Sequence, residues 1–209
     1  ARRYRRYPIY STPEALANVA GVQVPILMIA AMTGDEAGQL FLAMQIMAAP
    51  MTLLGASVGQ VYASRAQEEL RDGNLHGFTV SMMRRLFLIG LGPMLAAALL
   101  APSFFPVIFG AEWARAGEIV AWIAPWMLLQ LTVSPVSMVM ALLNRQAAMM
   151  ALTIAGGIFR IGAILWIFSV GLLNATEAFA LSSALFYFVC FFVFYFSSRS
   201  TIASVRKAK

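Results

Sequence analysis

Few side chains in this sequence could do chemistry inside so apolar a chain, and Arg160 is the first of them. It lies near the middle of residues 147–170, AAMMALTIAGGIFRIGAILWIFSV. At about 1.5 Å of rise per residue, that run is long enough to cross a bilayer as a helix. A charge at such depth costs about 2.5–3.5 kcal/mol on insertion scales and rarely faces lipid. Helical spacing puts Thr153, Gly156, Gly157 and Ala163 near the Arg160 face, and Ile154, Ile158, Ile161 and Leu165 largely elsewhere. The charged side is small and partly polar, and is expected to face a helix neighbour or a wet cavity. Two roles are open to Arg160. It is either a structural arginine paired with carbonyls or a carboxylate of another helix, or a cavity-lining cation for an anionic substrate. On the second reading Arg160, Thr153 and Gly156 are the substrate-binding candidates.

Other chemistry has too few parts. His76 is the only histidine and Cys190 the only cysteine, which excludes an internal disulfide, a cysteine metal site and a histidine-based catalytic or zinc site. His76, flanked by Gly73, Asn74 and Gly77, reads as a solvated loop residue. Glu14, Asp35, Glu36, Glu112, Glu118 and Glu177 fall near the ends of apolar runs, and Glu68, Glu69 and Asp72 in a polar connection. No catalytic residue, metal or cofactor is expected.

The elements that must position these residues follow from composition. The chain has 209 residues, 61% hydrophobic and 11% charged, with mean hydropathy +0.78. Soluble domains carry about 25% charged residues, so the pattern is that of an all-α integral membrane protein. The net charge of +6 does not point to nucleic acid, because the basic residues lie between apolar spans. Six spans are predicted, at about 14–33, 37–63, 78–101, 117–143, 147–170 and 175–198. Residues 1–13 are expected to form a polar cytoplasmic connection that leads into the six-helix unit 14–198, and residues 199–209 a basic cytoplasmic tail. Ser11 and Glu14 have capping-box spacing and Pro13 suits a first turn, so the first helix is expected to start there. Residues 64–77 read as the longest polar connection, and PSFFPVIFGAEW as a broken, interfacial segment.

Pro25, Pro50, Pro93, Pro125 and Pro135 fall inside four of the spans. Each lacks a backbone N–H, so the carbonyl it frees needs a protein or water partner that lipid cannot supply. These are the helix-break or hinge candidates, a pattern transporters use to line cavities. GASVG, with Gly55 and Gly59, is a small-residue pattern that permits close helix approach.

Orientation follows from charge. With six spans, thirteen of the fifteen basic residues fall on one side, Arg115 alone falls on the other, and Arg160 is intramembrane. The positive-inside rule then places both ends in the cytoplasm. Trp113, Trp122, Trp126 and Trp166 fall towards the outer half, as an aromatic belt would. The chain begins with Ala1 and shows no signal-peptide order, so a piece of a longer polypeptide is expected.

The ordered series RRYPIYSTPEALANVAGVQVPILMI and AGQLFLAMQIMAAPMTLLGASVGQVYASRA resembles the polysaccharide and O-antigen flippases of the multidrug/oligosaccharidyl-lipid/polysaccharide exporter superfamily. Tyr7-Pro8, Pro25, Gly38 and the Pro50, Gly55, Gln60 series carry the likeness, as do VIFGAEWARAG and Ser134-Pro135. It is best over residues 1–65 and 104–137. The resemblance implies one six-helix lobe, the carboxy-terminal one, of a twelve-or-more-helix exporter of the bacterial inner membrane. It further implies alternating access, a lipid-linked oligosaccharide of the undecaprenyl-pyrophosphate type as substrate, and an amino-terminal lobe as partner. It also implies a cationic cavity, for which Arg160 could supply charge.

Two alternatives are weighed beside it. A drug/cation antiporter of the same superfamily would favour a carboxylate deep in the membrane. A membrane enzyme of polysaccharide assembly would need sizeable outward loops with catalytic residues, and these connections are short. A purely structural membrane subunit explains the fold but neither the prolines nor Arg160.

Overall fold

The computed structural model describes the backbone of residues 6–207 and the side chains of 13–49 and 51–199. Seven helices account for nearly all of it: α1 (Arg6–Thr33), α2 (Glu36–Arg71), α3 (Leu75–Phe109), α4 (Ala114–Val133), α5 (Met138–Leu142), α6 (Gln146–Val170) and α7 (Ala175–Lys207). Five stretches are long and apolar enough to span a membrane, and α2 makes a sixth if its two halves count as one. The chain is an all-α membrane-type helical bundle.

Helix α4 sits at the centre, packed on α3, α7 and α2, while α1 lies against α6 and α2, and α6 against α7. Its sequence allows this, because Ile123, Trp126, Met127, Leu128, Thr132 and Val133 are buried around most of its circumference. The outer helices instead leave large apolar side chains such as Leu99, Val107, Ile158 and Trp166 exposed. That surface suits hydrocarbon, where every backbone polar group must be satisfied within the helix.

Contacts define two ends. At one, Arg115 meets Glu36 and Glu177. At the other, His76 Nδ1 lies 2.8 Å from Ser198 Oγ and Arg145 donates to Ser197 Oγ at 3.2 Å. The spans therefore alternate in direction, as the charge count requires. Gly73 (φ 75°) and Gly171 (φ 70°) turn the chain after α2 and α6 in the left-handed region that glycine enters without penalty.

Several expectations need correcting. Helix α1 begins at Arg6, not near Pro13. Pro8 falls in the first turn, where its missing N–H would be unpaired in any case. The Tyr7-Pro8 and Ser11 side chains lie outside the described residues. The polar connection 64–77 is mostly helix, with α2 running to Arg71 and α3 starting at Leu75. Charged residues such as Arg65, Glu68 and Arg71 favour helix in water, so α2 outlasts its apolar run. Pro102 and Pro106 lie inside α3, and the break falls at Gly110 (φ 107°), before a 3-10 turn at Ala111–Trp113. Trp126 joins no belt: it is 1% exposed and packs edge-on to Phe179, ring centres 5.0 Å apart. Trp166 is exposed and Trp122 partly so.

Of the five hinge candidates, two coincide with a break. Helix α2 bends by 43° between residues 36–49 and 51–71, at Pro50. Pro135 lies in the 3-10 turn Ser134–Val136 that separates α4 from α5. Pro25, Pro93 and Pro125 sit within continuous helices.

Candidate functional site

Helix α6 buries Thr153, Gly156, Gly157, Arg160 and Ile164 and exposes Ile154, Ile158 and Leu165, the division its spacing predicts. The small residues let α1 come close. A Cβ built on Gly21 would lie 3.4 Å from Gly157 Cα, nearly backbone on backbone. Arg160, one turn from Gly157, is thereby carried to α1, where Nη1 donates to the Gly21 carbonyl at 3.2 Å. That carbonyl has lost its helical donor, because residue 25, four positions on, is proline. Pro25 frees an acceptor and Arg160 fills it.

The rest of the guanidinium is walled by rings. Its central carbon lies 4.4 Å from the Phe186 ring centre and 5.5 Å from that of Tyr187. Such stacking contributes about 0.5–2 kcal/mol. Arg160 is 2% exposed, and Nε and Nη2 have no hydrogen-bond acceptor among the described residues. Of the two roles open to it, the geometry displays the contact with a helix neighbour. Gly156 lies under Phe186, since a Cβ there would come within 2.1 Å of the ring. Thr153 belongs to a different environment. Its hydroxyl, 3.0 Å from the Met149 carbonyl and 3.5 Å from Glu14 Oε1, lines a small polar cavity of about 160 Å³ with Asn18, Ser137 and Tyr187. The three binding candidates share a helix face but not one cavity lining.

A larger groove, about 540 Å³, opens between α1, α2 and α4. Its polar lining consists of Gln23, Gln45, Thr52, Gln130 and Ser134, set among Trp126, Phe41 and several methionines, and none of its lining residues is charged. Gln23 is mid-span in α1, and Gln130 lies in the most buried span. Among the described residues the amides of Gln23, Gln45 and Gln130 make no hydrogen bond to protein. Gln130 and Ser134 also line the small polar cavity, so the two spaces adjoin. The groove is bordered by both broken elements: Gly55 and Gly59 of α2, beyond the Pro50 bend, come to 4.0 Å of Pro135 (measured from built Cβ positions). Sequence reading passed over the glutamines because Gln23, Gln45 and Gln130 come from three different spans, 22 and 85 residues apart, and helical spacing does not say which spans touch. Uncharged polar residues at mid-span were the available signal.

A second polar cluster also escaped it. Arg115 Nη2 bonds Glu36 Oε1 at 2.7 Å and Glu177 Oε1 more closely, and Nη1 bonds Glu118 Oε2 at 2.8 Å. Asn174 Nδ2 donates to Glu177 at 3.4 Å. Glu36 and Glu177 stand in the first turns of α2 and α7, where the helix dipole favours negative charge. His76 is likewise not a solvated loop residue. It is half-buried at the start of α3, hydrogen-bonded to Ser198 and edge-on to Tyr195 with ring centres 5.0 Å apart. Among the described residues no group of three or more metal-ligating side chains occurs.

Compared with protein-family models, with curated proteins and with solved structures, the chain gives no significant match.

Proposed function

We propose that the chain forms one lobe of a membrane transporter that carries a lipid-pyrophosphate-linked oligosaccharide across the bilayer by alternating access, for surface polysaccharide or lipopolysaccharide assembly. The observation that carries this reading is the groove between α1, α2 and α4, lined by three amides with no hydrogen-bond partner among the described residues. A primary amide both donates and accepts, so it matches the hydroxyls of a sugar. The exposed ring of Phe41 on the lining suits the apolar side of a sugar ring. Breaks in the bordering helices, at the α2 bend and the Ser134–Val136 turn, give the walls a place to move. The groove lining carries no cation, so charge for the pyrophosphate comes from a second lobe on this reading. Arg160 then acts on the substrate indirectly, by setting α1 against α6.

One observation favours an ion-coupled drug/cation antiporter instead. Glu14 reaches Thr153 in the small cavity that adjoins the groove, which puts a carboxylate inside the bundle.

The test uses the full-length polypeptide containing this chain. Gln23→Leu, Gln45→Leu and Gln130→Leu should insert normally and each reduce glycan export in a flippase-deficient strain by about tenfold, the scale of one lost hydrogen bond. Wild-type export by the triple variant would overturn the reading. Loss of drug resistance in Glu14→Gln, with export untouched, would favour the antiporter.

A further inference from the structure

A second cavity, on the opposite side of α4 from the glutamine groove, has a different chemistry. It is a slot of about 330 Å³ between α3 and α7, floored by Leu129 and walled by Met83, Phe87, Phe188 and Phe191. The surface inside the slot is wholly apolar; Arg84 and Tyr195 line it through their carbon atoms and carry their polar groups outside it. Both stand towards the end of the bundle that holds Arg65, Arg71, Arg145 and Arg199.

We propose that this slot binds an anionic phospholipid, with one acyl chain between α3 and α7 and the headgroup phosphate on Arg84. Size and charge argue for this occupant together. The volume takes about eleven groups of about 30 Å³, the liquid volume of a water molecule and the scale of a methylene. An approaching protein helix is about 10–12 Å across and would not enter.

The walls are apolar and largely aromatic, which suits a hydrocarbon chain. At the mouth, Arg84 is exposed and pairs with no carboxylate among the described residues. Tyr195 beside it packs on His76, and Arg199 lies within electrostatic reach of that ring. The acidic residues towards this end, Glu14, Glu68, Glu69 and Asp72, belong to α1, to α2 and to the turn after it, and none lines the slot. Basic pockets between spanning helices at the positively charged side of a membrane are where anionic headgroups bind. This proposal does not depend on the cargo of the transporter.

The experiment titrates the full-length protein, purified in neutral detergent, with phosphatidylglycerol or phosphatidylcholine and reads lipid adducts by native mass spectrometry. Phosphatidylglycerol should bind about fivefold more tightly, the scale of one basic contact at an anionic surface. Arg84→Gln should erase that preference, Arg84→Lys should keep most of it, and Arg85→Gln, whose side chain does not line the slot, should leave it intact. Val80→Trp, which fills the slot from the α3 side, should weaken both lipids while the melting temperature without lipid is retained. Equal affinity for the two lipids, a preference that survives Arg84→Gln, or binding unchanged by Val80→Trp would overturn the proposal. So would a lipid-free dimer that Val80→Trp dissociates, since a second copy would then be the occupant.

Discussion

Without the Arg160 guanidinium, the Gly21 carbonyl would face apolar side chains with no donor, because Pro25 has already removed the helical one. A backbone acceptor left unpaired in such surroundings costs several kcal/mol, and a hydrogen bond to a charged donor contributes about 1.5–3 kcal/mol. Arg160→Ala should thus destabilise the full-length protein by about 2–3 kcal/mol in detergent unfolding. Pro25→Ala restores an N–H four residues after Gly21, so in the Arg160→Ala background it should recover part of that loss. The double-mutant cycle isolates this coupling. If the two substitutions are additive and Arg160→Ala melts like the wild type while export fails, the arginine serves substrate and not the helix pair. The sequence showed an expensive charge, a small face around it and a proline-freed carbonyl somewhere in the bundle. That the carbonyl and the charge meet could not be read, because 139 residues separate Gly21 from Arg160 and helical spacing says nothing of which helices touch.

Helices α2, α4 and α7 are tied at one end by a single guanidinium. Arg115 holds Glu36, Glu118 and Glu177, and Glu177, 5% exposed, keeps one carboxylate oxygen with no partner among the described residues. Deleting the cation leaves a buried carboxylate uncompensated, which in fully buried pairs costs about 3–5 kcal/mol. The Arg115 side chain is 27% exposed, so water screens part of the loss. Arg115→Ala should therefore cost about 2 kcal/mol. Glu177→Gln should relieve it, making the double variant more stable than Arg115→Ala alone. A chemical-denaturation series checks this, and a double variant no better than Arg115→Ala would mean that Glu177 gains nothing from the ion pair. Helix existence was legible throughout, since long apolar runs separated by glycine and charge fix where spans lie. Helix ends were less so: α2 outruns its apolar window because polar residues such as those of 64–71 extend a helix once it leaves lipid, and α3 runs on through Pro102 and Pro106 to Phe109. The cluster itself was hidden, because its members sit in three separate turns.

At the scale of the whole bundle, the contacts and the charges agree on which turns share an end. Glu36, Arg115 and Glu177 meet at one end, and His76, Arg145, Ser197 and Ser198 at the other. The basic residues are therefore divided by the fold as well as by the sequence pattern. Among the described residues, Arg65, Arg71, Arg84, Arg85, Arg145 and Arg199 lie towards the second end, and only Arg115, fully engaged by carboxylates, lies at the first. Which end faces the cytoplasm is decided by the membrane and not by packing, and we propose the second, because lysine and arginine are retained on the cytoplasmic side. Fusions to a reporter active only outside the cytoplasm test this at turns the structure defines. The reporter should be silent after Gly73 or Asn144, which follow α2 and α5. It should be active after Gly110 or Gly171, which follow α3 and α6. Activity at Gly73 with silence at Gly110 would invert the bundle. Activity at both would separate α3 from the membrane altogether and break the alternation on which the transporter reading stands.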